Sequence, residues 1–333
     1  MATSARRPAR AIAVIGGGTG SFHVLSGLRH HPELEINSIV TMMDSGGDSG
    51  RLRDEFGVLP PGDLRRCLIA LSDESKLLRE LFAFRFEEEP LSGRSFGNLF
   101  LLALGRMLGS EKEAVDAIGR LLQIHGRVLP VTWDHAHLIA ELADGSTLEG
   151  EGTIDGVAAD QAVPIERVRL HPKAAANPDA LRVLTRSDAI VLAPGSLFTS
   201  TLPNLLVEGI REAIDQAEAP LVYVLNLMTR QNETPGYSAV RHVEEIARYA
   251  GRVPDIVLAH GGEISEERMR RYEAEDARPV DVDVAGLEAL GVRDVRIAPL
   301  VSPPPLVRHD PTTTAEAIVA ALDAWDARSS NDV

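Results

Sequence analysis

The residues best suited to chemistry stand in a row at Gly16-Gly17-Gly18-Thr19-Gly20, where the apolar run 11–15 stops. Backbone N–H groups flanked by no Cβ can approach an anion closely, and a helix starting behind them adds the positive end of its dipole. That is phosphate-binding chemistry. Gly16, Gly18 and Ser21 give G-x-G-x-x-S, one residue short of the dinucleotide fingerprint, and no Gly-Lys-Ser/Thr follows to make a Walker A loop. The spacing points to a phosphorylated ligand, or to a turn that serves strand-to-helix packing alone. The next such group is DSGGDSGRLR, residues 44–53. An acidic residue there can hold a ribose or a metal ion, Asp44 and Asp48 being weak metal candidates. Arg51 and Arg53 can neutralise phosphate, and a solvated turn is the alternative.

Alternating strands and helices must position these groups. Residues 11–15 read as a first strand, 22–28 as a helix with Val24, Leu25 and Leu28 on one stripe, and 36–43 as a second strand that delivers Asp44. Asp63, at the end of the break LPPGD, is placed to cap a helix over 64–71 or to touch ligand. Residues 77–86 have helical spacing. Gly93, Gly97 and Asn98 precede a strongly apolar helix, which predicts either close backbone packing against the sheet or a second anion site at a helix N-terminus. From about 129 to 170 the pattern changes to short strands with polar turns, and Asp144-Gly145 marks a hairpin. His135 and His137 share a face there; two histidines without a third ligand read as exposed strand positions.

At Ala189 the earlier alternation returns. AIVLAPGSLFTSTLPNLL is a strand, a small-residue turn and a helix starting near Pro203, with Gly195, Ser196, Thr199 and Ser200 offering a second phosphate or sugar cradle. LVYVLNLMT reads as a strand buried on both faces, with Asn226 and Thr229 at its carboxyl end. DIVLAHG ends a further strand at His260, and VRIAPL makes one more. Polar groups recur at strand ends, the edge where a doubly wound sheet binds ligands. The fold expected is α/β, a Rossmann-like doubly wound, mostly parallel sheet with a small antiparallel β insertion. Residues 1–10 and 328–333 are expected to be tails, and 11–327 a single domain.

Bulk properties narrow the function. A formal charge of −15 and a pI near 5.1 argue against a general nucleic-acid surface, and aromatics at 4% leave few platforms for stacking bases. The single cysteine, Cys67, sits at a helical core position and has no disulfide partner, which fits a reducing cytoplasm. Arg6, Arg7 and Arg10 are followed by no apolar signal region, and no apolar run approaches spanning length, so no membrane insertion is expected.

Seven blocks in order carry a more specific signal: IGGGTGSFHVLSGL, DSGGDSGRLRDEFGVLPPGDLRRCL, LSGRSFGNL, APGSLFTSTLPNLL, NLMTRQNETPGYSAVRHV, RRYEAEDARPVDVD and VRHDP. From about 11 to 325 the chain resembles the YvcK family of gluconeogenesis factors, in the superfamily of the 2-phospho-L-lactate transferases, CofD-like proteins of deazaflavin cofactor synthesis. The resemblance implies a cytoplasmic nucleotide-sugar-binding regulator, UDP-N-acetylglucosamine being the ligand type, that links carbon metabolism to cell-wall precursor supply, morphogenesis and cell shape. It implies ligand contacts from Gly17, Gly18, Thr19, Gly20, Asp44, Asp63, Asn98, Gly195, Ser196, Asn226, Thr229, Tyr272 and Arg308. No cofactor is then required, and the expected partners are the nucleotide sugar, an amino-sugar or cell-wall precursor enzyme, and further copies of the chain in a homo-oligomer.

Tyr272 lies late in the helical run 265–275, where its ring could cover a uracil or pack against a helix. Arg308 precedes Asp310 and Pro311, an N-cap and first residue for the last helix. The chain departs from the family where a second Asp becomes Ser45 and a Ser becomes Asp48, and where Arg66, Arg94 and His260 replace the usual Asn, His and Asn. Two other readings compete with the regulator. A transferase of the 2-phospho-L-lactate type would use Mg²⁺ at Asp44 or Asp48 to offset charge on a diphosphate leaving group. An NAD-dependent oxidoreductase would place Asp44 on ribose hydroxyls, against the imperfect glycine spacing.

Overall fold

A computed structural model describes residues 10–272, 277–303 and 305–329. Strand β1 (Arg10–Gly16) is buried from Ile12 onward and turns into helix α1 (Gly18–Leu28), whose Val24, Leu25 and Leu28 point into the core as their spacing predicts. β2 (Leu34–Val40) lies parallel to β1, with Ile12 opposite Ile36 and Gly16 opposite Val40. Five helices follow: α2 (Gly47–Phe56), α3 (Pro61–Ala70), α4 (Lys76–Ala83), α5 (Phe96–Leu108) and α6 (Glu111–Leu121). β3 (Arg127–Pro130) then pairs with β2 at one edge of the sheet. β4 (His137–Leu142), β5 (Thr147–Glu149) and β6 (Ile165–His171) make a second, antiparallel sheet in the order β5-β4-β6, with the short helix α7 (Glu151–Asp155) after β5. The chain comes back to the other side of β1 with β7 (Ala189–Leu192) and continues outward through β8 (Leu221–Val224), β9 (Ile256–His260) and β10 (Asp294–Ala298). The main sheet is therefore β10-β9-β8-β7-β1-β2-β3, parallel throughout.

β7 and β8 are fully buried, as strands covered by helices on both faces must be. Each such Val, Leu or Ile contributes roughly 1.5–3 kcal/mol on burial. The last helix, Pro311–Ser329, packs on α1. Gly27 makes that contact possible, because a Cβ there would overlap the Pro311 carbonyl. This contact brings the segment before Pro311 to the carboxyl edge of the sheet.

Several boundaries differ from the sequence reading. The stretch 44–53, expected to be a loop, is largely α2: Leu52 anchors it in the core, Asp48 and Arg53 complement its dipole, and Gly57 ends it with φ +62°. Arg127–Pro130 joins the parallel sheet, so the antiparallel sheet begins only at His137. The Asp144-Gly145 hairpin forms as expected, with Gly145 at φ +86°. The helical structure after β7 starts at Leu197, before Pro203, as a wide turn Leu197–Thr201 running into Leu202–Leu205. The helix expected over 77–86 spans Lys76–Ala83, and that over 265–275 is confined to Glu266–Met269, with 273–276 outside the described residues. Arg10, assigned to a tail, opens β1 and pairs with Asp323 at 3.0 Å; Arg328, assigned to the other, lies in the last helix.

Candidate functional site

β1 lies between β2 and β7, where the strand order reverses, and the turns after β1 and β7 meet there. A Cβ at Gly20 would overlap the Pro194 carbonyl oxygen, so only glycine lets the start of α1 sit against the second turn. Gly18 is required for another reason. A Cβ there would come no closer than 3.9 Å to Ser200 Oγ, but φ is +67°, which strains any side chain.

A cleft of about 390 Å³ opens between the turns. Thr19, Gly20 and His23 line it from α1, and Pro194, Gly195 and Ser196 from the second turn. Asn226–Met228 and Arg230, beyond β8, and Val307–His309, before the last helix, complete it. Asn226 Nδ2 donates to the Gly195 carbonyl at 2.6 Å, and the Tyr223 hydroxyl donates to Asn226 Oδ1 at 3.4 Å, so this amide shapes the turn. Arg230 Nη1 donates to Ser196 Oγ and, at 3.2 Å, to Asp155 Oδ2, and lies 3.5 Å from Glu233 Oε2. Glu233 is buried, and its Oε1 accepts the Thr199 N–H at 3.1 Å. Burial pushes the Glu233 carboxyl upward while Arg230 pulls it back. Asp155 also accepts from Thr199 Oγ1 at 2.9 Å.

The segment before the last helix is held from two sides. His23 Nδ1 donates to the His309 carbonyl at 2.5 Å, and His309 Nε2 donates to the Leu225 carbonyl at 3.1 Å. Burial pushes His309 down to about 4, so at neutral pH it is an uncharged donor. Asp310 caps the helix, Oδ1 accepting the Thr313 N–H at 2.9 Å. Arg308, immediately before His309, is exposed at the cleft.

Behind the glycine turn stand carboxylates. Asp63 is not the N-cap expected: α3 starts at Pro61, and the buried Asp63 carboxylate in its first turn accepts the Gly18 N–H and pairs with Arg66 at 3.2 Å. Burial, then the charge of Asp44, pushes Asp63 up to about 6. Asp44 Oδ1 accepts the Gly46 N–H at 3.0 Å. Glu151, delivered by α7, accepts the Ser45 N–H at 3.3 Å, and burial followed by Asp44 and Asp155 pushes it up to about 7. Among the described residues, no group of three or more His, Cys, Asp or Glu is arranged to hold a metal ion.

Of the residues picked from sequence, Thr19, Gly20, Gly195, Ser196, Asn226 and Arg308 line one cleft. Gly17 and Gly18 form the turn's other side with Asp63 and Asp44; a Cβ at Gly17 would overlap Asp63 Oδ2. Three others are not among the residues that line this cleft. Asn98 is buried away from the cleft and donates to Asp48 Oδ2 at 2.9 Å. Thr229 is buried and exchanges hydrogen bonds with the Arg278 backbone at 2.7 and 3.0 Å. Tyr272 uses its hydroxyl to accept the Val307 N–H at 2.9 Å and packs on the core, which makes it a support of the cleft wall.

Asp48, the other metal candidate, is engaged by protein donors. Both oxygens are taken by the Ser95 N–H at 2.9 Å, Asn98, and Arg94 at 3.4 Å. The anion at the start of α5 is thus this carboxylate. Gly97 answers to packing, since a Cβ would come within 2.6 Å of Arg65 Cδ and the Phe82 carbonyl, on neighbouring helices and not on the sheet. Arg66 and Arg94, two of the departures from the family pattern, each neutralise a buried carboxylate. Sequence reading missed Arg230, Glu233, Glu151, Asp155, His23 and His309. Arg230, next to Thr229 at a strand end, could have been found by position; Glu151 and Asp155 reach the site only because the insertion folds over it.

A family model described as 2-phospho-L-lactate transferase CofD matches residues 12–300. The gluconeogenesis factor of Bacillus subtilis (strain 168) is 40% identical over 314 residues, covering 93% of this chain and 98% of that one. The gluconeogenesis factor of Halalkalibacterium halodurans is 40% identical over 312 residues, covering 92% and 95%. A crystal structure of a protein from Bacillus halodurans matches with a TM-score of 0.88 at 40% identity, covering 93% of this chain and 99% of that one. The chain therefore belongs to the CofD family and, within it, to the gluconeogenesis factors.

Proposed function

We propose that the cleft binds a nucleotide sugar of the UDP-N-acetylglucosamine type, and that the chain acts in the cytoplasm as a ligand-sensing regulator linking carbon metabolism to cell-wall precursor supply and cell shape. The observation that carries the binding part is the meeting of two strand-end turns at the sheet's switch point, with exposed Arg308 beside them and room of about 390 Å³. The N–H groups of Thr19 and Gly20 in the first turn of α1 and the Arg308 guanidinium suit a diphosphate, the Gly18 N–H being taken by Asp63. Ser196, Asp155 and Arg230 offer the mixed donors and acceptors that sugar hydroxyls require. Thr19, Gly20, Gly195, Ser196 and Arg308 are the contacts proposed; Gly17, Gly18 and Asp63 set the turn behind them. No helix of the described residues is long and apolar enough to cross a membrane.

The transferase reading draws on the crowding of Asp44, Asp63 and Glu151, which a divalent cation would relieve. Asp48 is engaged by Ser95, Asn98 and Arg94, so on this reading a Mg²⁺ ion would have to be held by Asp44, Asp63 or Glu151 together with the phosphates of the substrate.

Isothermal titration of the full chain with UDP-N-acetylglucosamine, GDP, NAD and a deazaflavin alcohol, each with and without EDTA, tests the choice. Binding of the UDP-sugar alone, little changed by EDTA, is expected. Binding that vanishes in EDTA and returns with Mg²⁺ would favour the transferase, and NAD binding alone would favour the oxidoreductase.

A further inference from the structure

His23 stands one turn beyond Thr19 on α1, on the same helix face, and both line the cleft. Its neighbours Val24 and Leu25 point into the core, and its ring meets the Phe22 ring edge to face with centroids 5.8 Å apart. The bond that holds this imidazole fixes where its proton is. Nδ1 lies 2.5 Å from the His309 carbonyl oxygen, and a carbonyl only accepts, so in the uncharged ring the proton is on Nδ1. Nε2 is then a bare lone pair. Among the described residues no group donates to it. The carbonyl that sets this tautomer is itself fixed. The His309 ring is buried and bonded to Leu225, the Asp310 N–H donates to the Leu300 carbonyl at 2.7 Å, and the Arg308 carbonyl accepts the Ser302 N–H at 2.8 Å.

What surrounds Nε2 decides what it can serve. The N–H groups of Thr19 and Gly20 and the Arg308 guanidinium are donors, matched to the acceptor oxygens of a diphosphate. A bare nitrogen lone pair repels such oxygens and needs an N–H or O–H instead. We propose that His23 Nε2 accepts a hydrogen bond from the nucleoside of the bound nucleotide sugar, from a ribose hydroxyl or from the N3–H of the uracil, and so fixes how the nucleoside lies along α1. The assignment rests on the reading of the cleft as a nucleotide-sugar site. It gives that site a nucleoside-reading residue, beside the groups already assigned to the diphosphate and to the sugar.

Isothermal titration of the full chain at pH 8, above the ordinary imidazole range, is the test. Asparagine places an amide N–H where Nδ1 stood, so His23→Asn keeps the donor to the His309 carbonyl and removes the acceptor. It should bind UDP-N-acetylglucosamine about three- to tenfold more weakly than wild type, the scale of one neutral hydrogen bond, with an unchanged melting temperature. Three analogues of the ligand locate the donor: one carrying 3-methyluracil, one lacking the ribose 2′-hydroxyl and one lacking the 3′-hydroxyl. One of them should lose as much affinity for wild type as the substitution does, and lose nothing further on His23→Asn. A variant that binds like wild type, or analogue losses that are the same in both proteins, would overturn the proposal. If the variant does not fold, the wild type still decides, since three analogues that all bind as tightly as the parent leave Nε2 without a donor. A wild type that binds no UDP-N-acetylglucosamine at all is a different result, and it overturns the reading of the cleft together with this one.

Discussion

Asp63→Asn removes a charge that the fold resists. The carboxyl is pushed from 3.8 up to about 6, first by burial and then by Asp44. Each unit is worth about 1.4 kcal/mol, so the ionised form costs up to ~3 kcal/mol of stability once the group is charged in both states. The sign follows from where the proton binds more tightly. The folded chain holds it more firmly than the unfolded chain, so this group's stabilisation is full below pH 4 and is lost as pH rises through about 6. Asparagine keeps an acceptor for the Gly18 N–H and gives up the pair with Arg66, which is half exposed and worth under ~1 kcal/mol. The variant should therefore be more stable than wild type by ~2 kcal/mol at pH 8 and nearly equal to it at pH 4.5. The difference must be read at each pH, because His309, pushed down to about 4, acts the other way: its contribution is lost as pH falls from 6.5 through 4. That background is common to both proteins and cancels. Urea denaturation at the two pH values measures the gain. A variant no more stable than wild type at pH 8, or equally stabilised at both, would refute the reasoning.

Three further outcomes follow from the same geometry. Arg308→Ala should weaken UDP-N-acetylglucosamine binding by about 1.5–3 kcal/mol, the scale of a charged hydrogen bond, with an unchanged melting temperature because the side chain is exposed; calorimetric affinity equal to wild type would remove it from the cleft. Asp48→Ala leaves the Ser95 N–H, Asn98 and Arg94 without their shared acceptor and should cost about 3–5 kcal/mol in urea denaturation, whereas a loss below ~1 kcal/mol would mean the contacts are not made. Gly20→Ala should unfold or fail to accumulate, while Gly18→Ala, with open space but φ +67°, should fold and lose only ~1–2 kcal/mol; equal tolerance in thermal melts would contradict the contact with Pro194.

The parallel sheet was legible because its strands are continuous apolar runs that break off at glycine, proline or polar residues, as Ile15 does at Gly16, Ala193 at Pro194-Gly195 and Leu225 at Asn226. The cleft residues on those ends, Thr19, Gly195, Ser196 and Asn226, were legible for the same reason: topology alone brings strand ends together. Other parts were hidden by long-range contacts. Leu52 is the one large apolar side chain that α2 buries, and its other anchor, Asp48, is tied to residues far along the chain, so its composition read as a loop. Asn98 looked like a ligand contact because an amide at a helix start suits an anion; no local pattern tells that the anion is Asp48, fifty residues earlier. Arg10 could not be separated from the tail before it, since its partners Asp323 and Asp326 lie at the far end of the chain.

The two arginines of the cleft are held so differently that they cannot do the same work. Arg308 projects from a segment fixed by His309 and the Asp310 cap, and its guanidinium is exposed. Arg230 is committed to Ser196 and Asp155 and lies against Glu233, one positive charge among two carboxylates. Glu233 cannot retreat, because it is buried and accepts the Thr199 N–H; Asp155, half-buried on α7 of the insertion, is the more movable. A phosphate approaching Arg230 would meet that negative surround and have to displace Asp155, losing most of what the guanidinium offers. A neutral group with hydroxyls meets no such repulsion and can donate to Asp155 while accepting from Arg230. The charge distribution thus divides the cleft, on the proposed reading, into a diphosphate end between the start of α1 and Arg308, and a sugar end at Ser196, Arg230 and Asp155. The antiparallel insertion carries Asp155, the residue that turns this second end from a phosphate towards a neutral group.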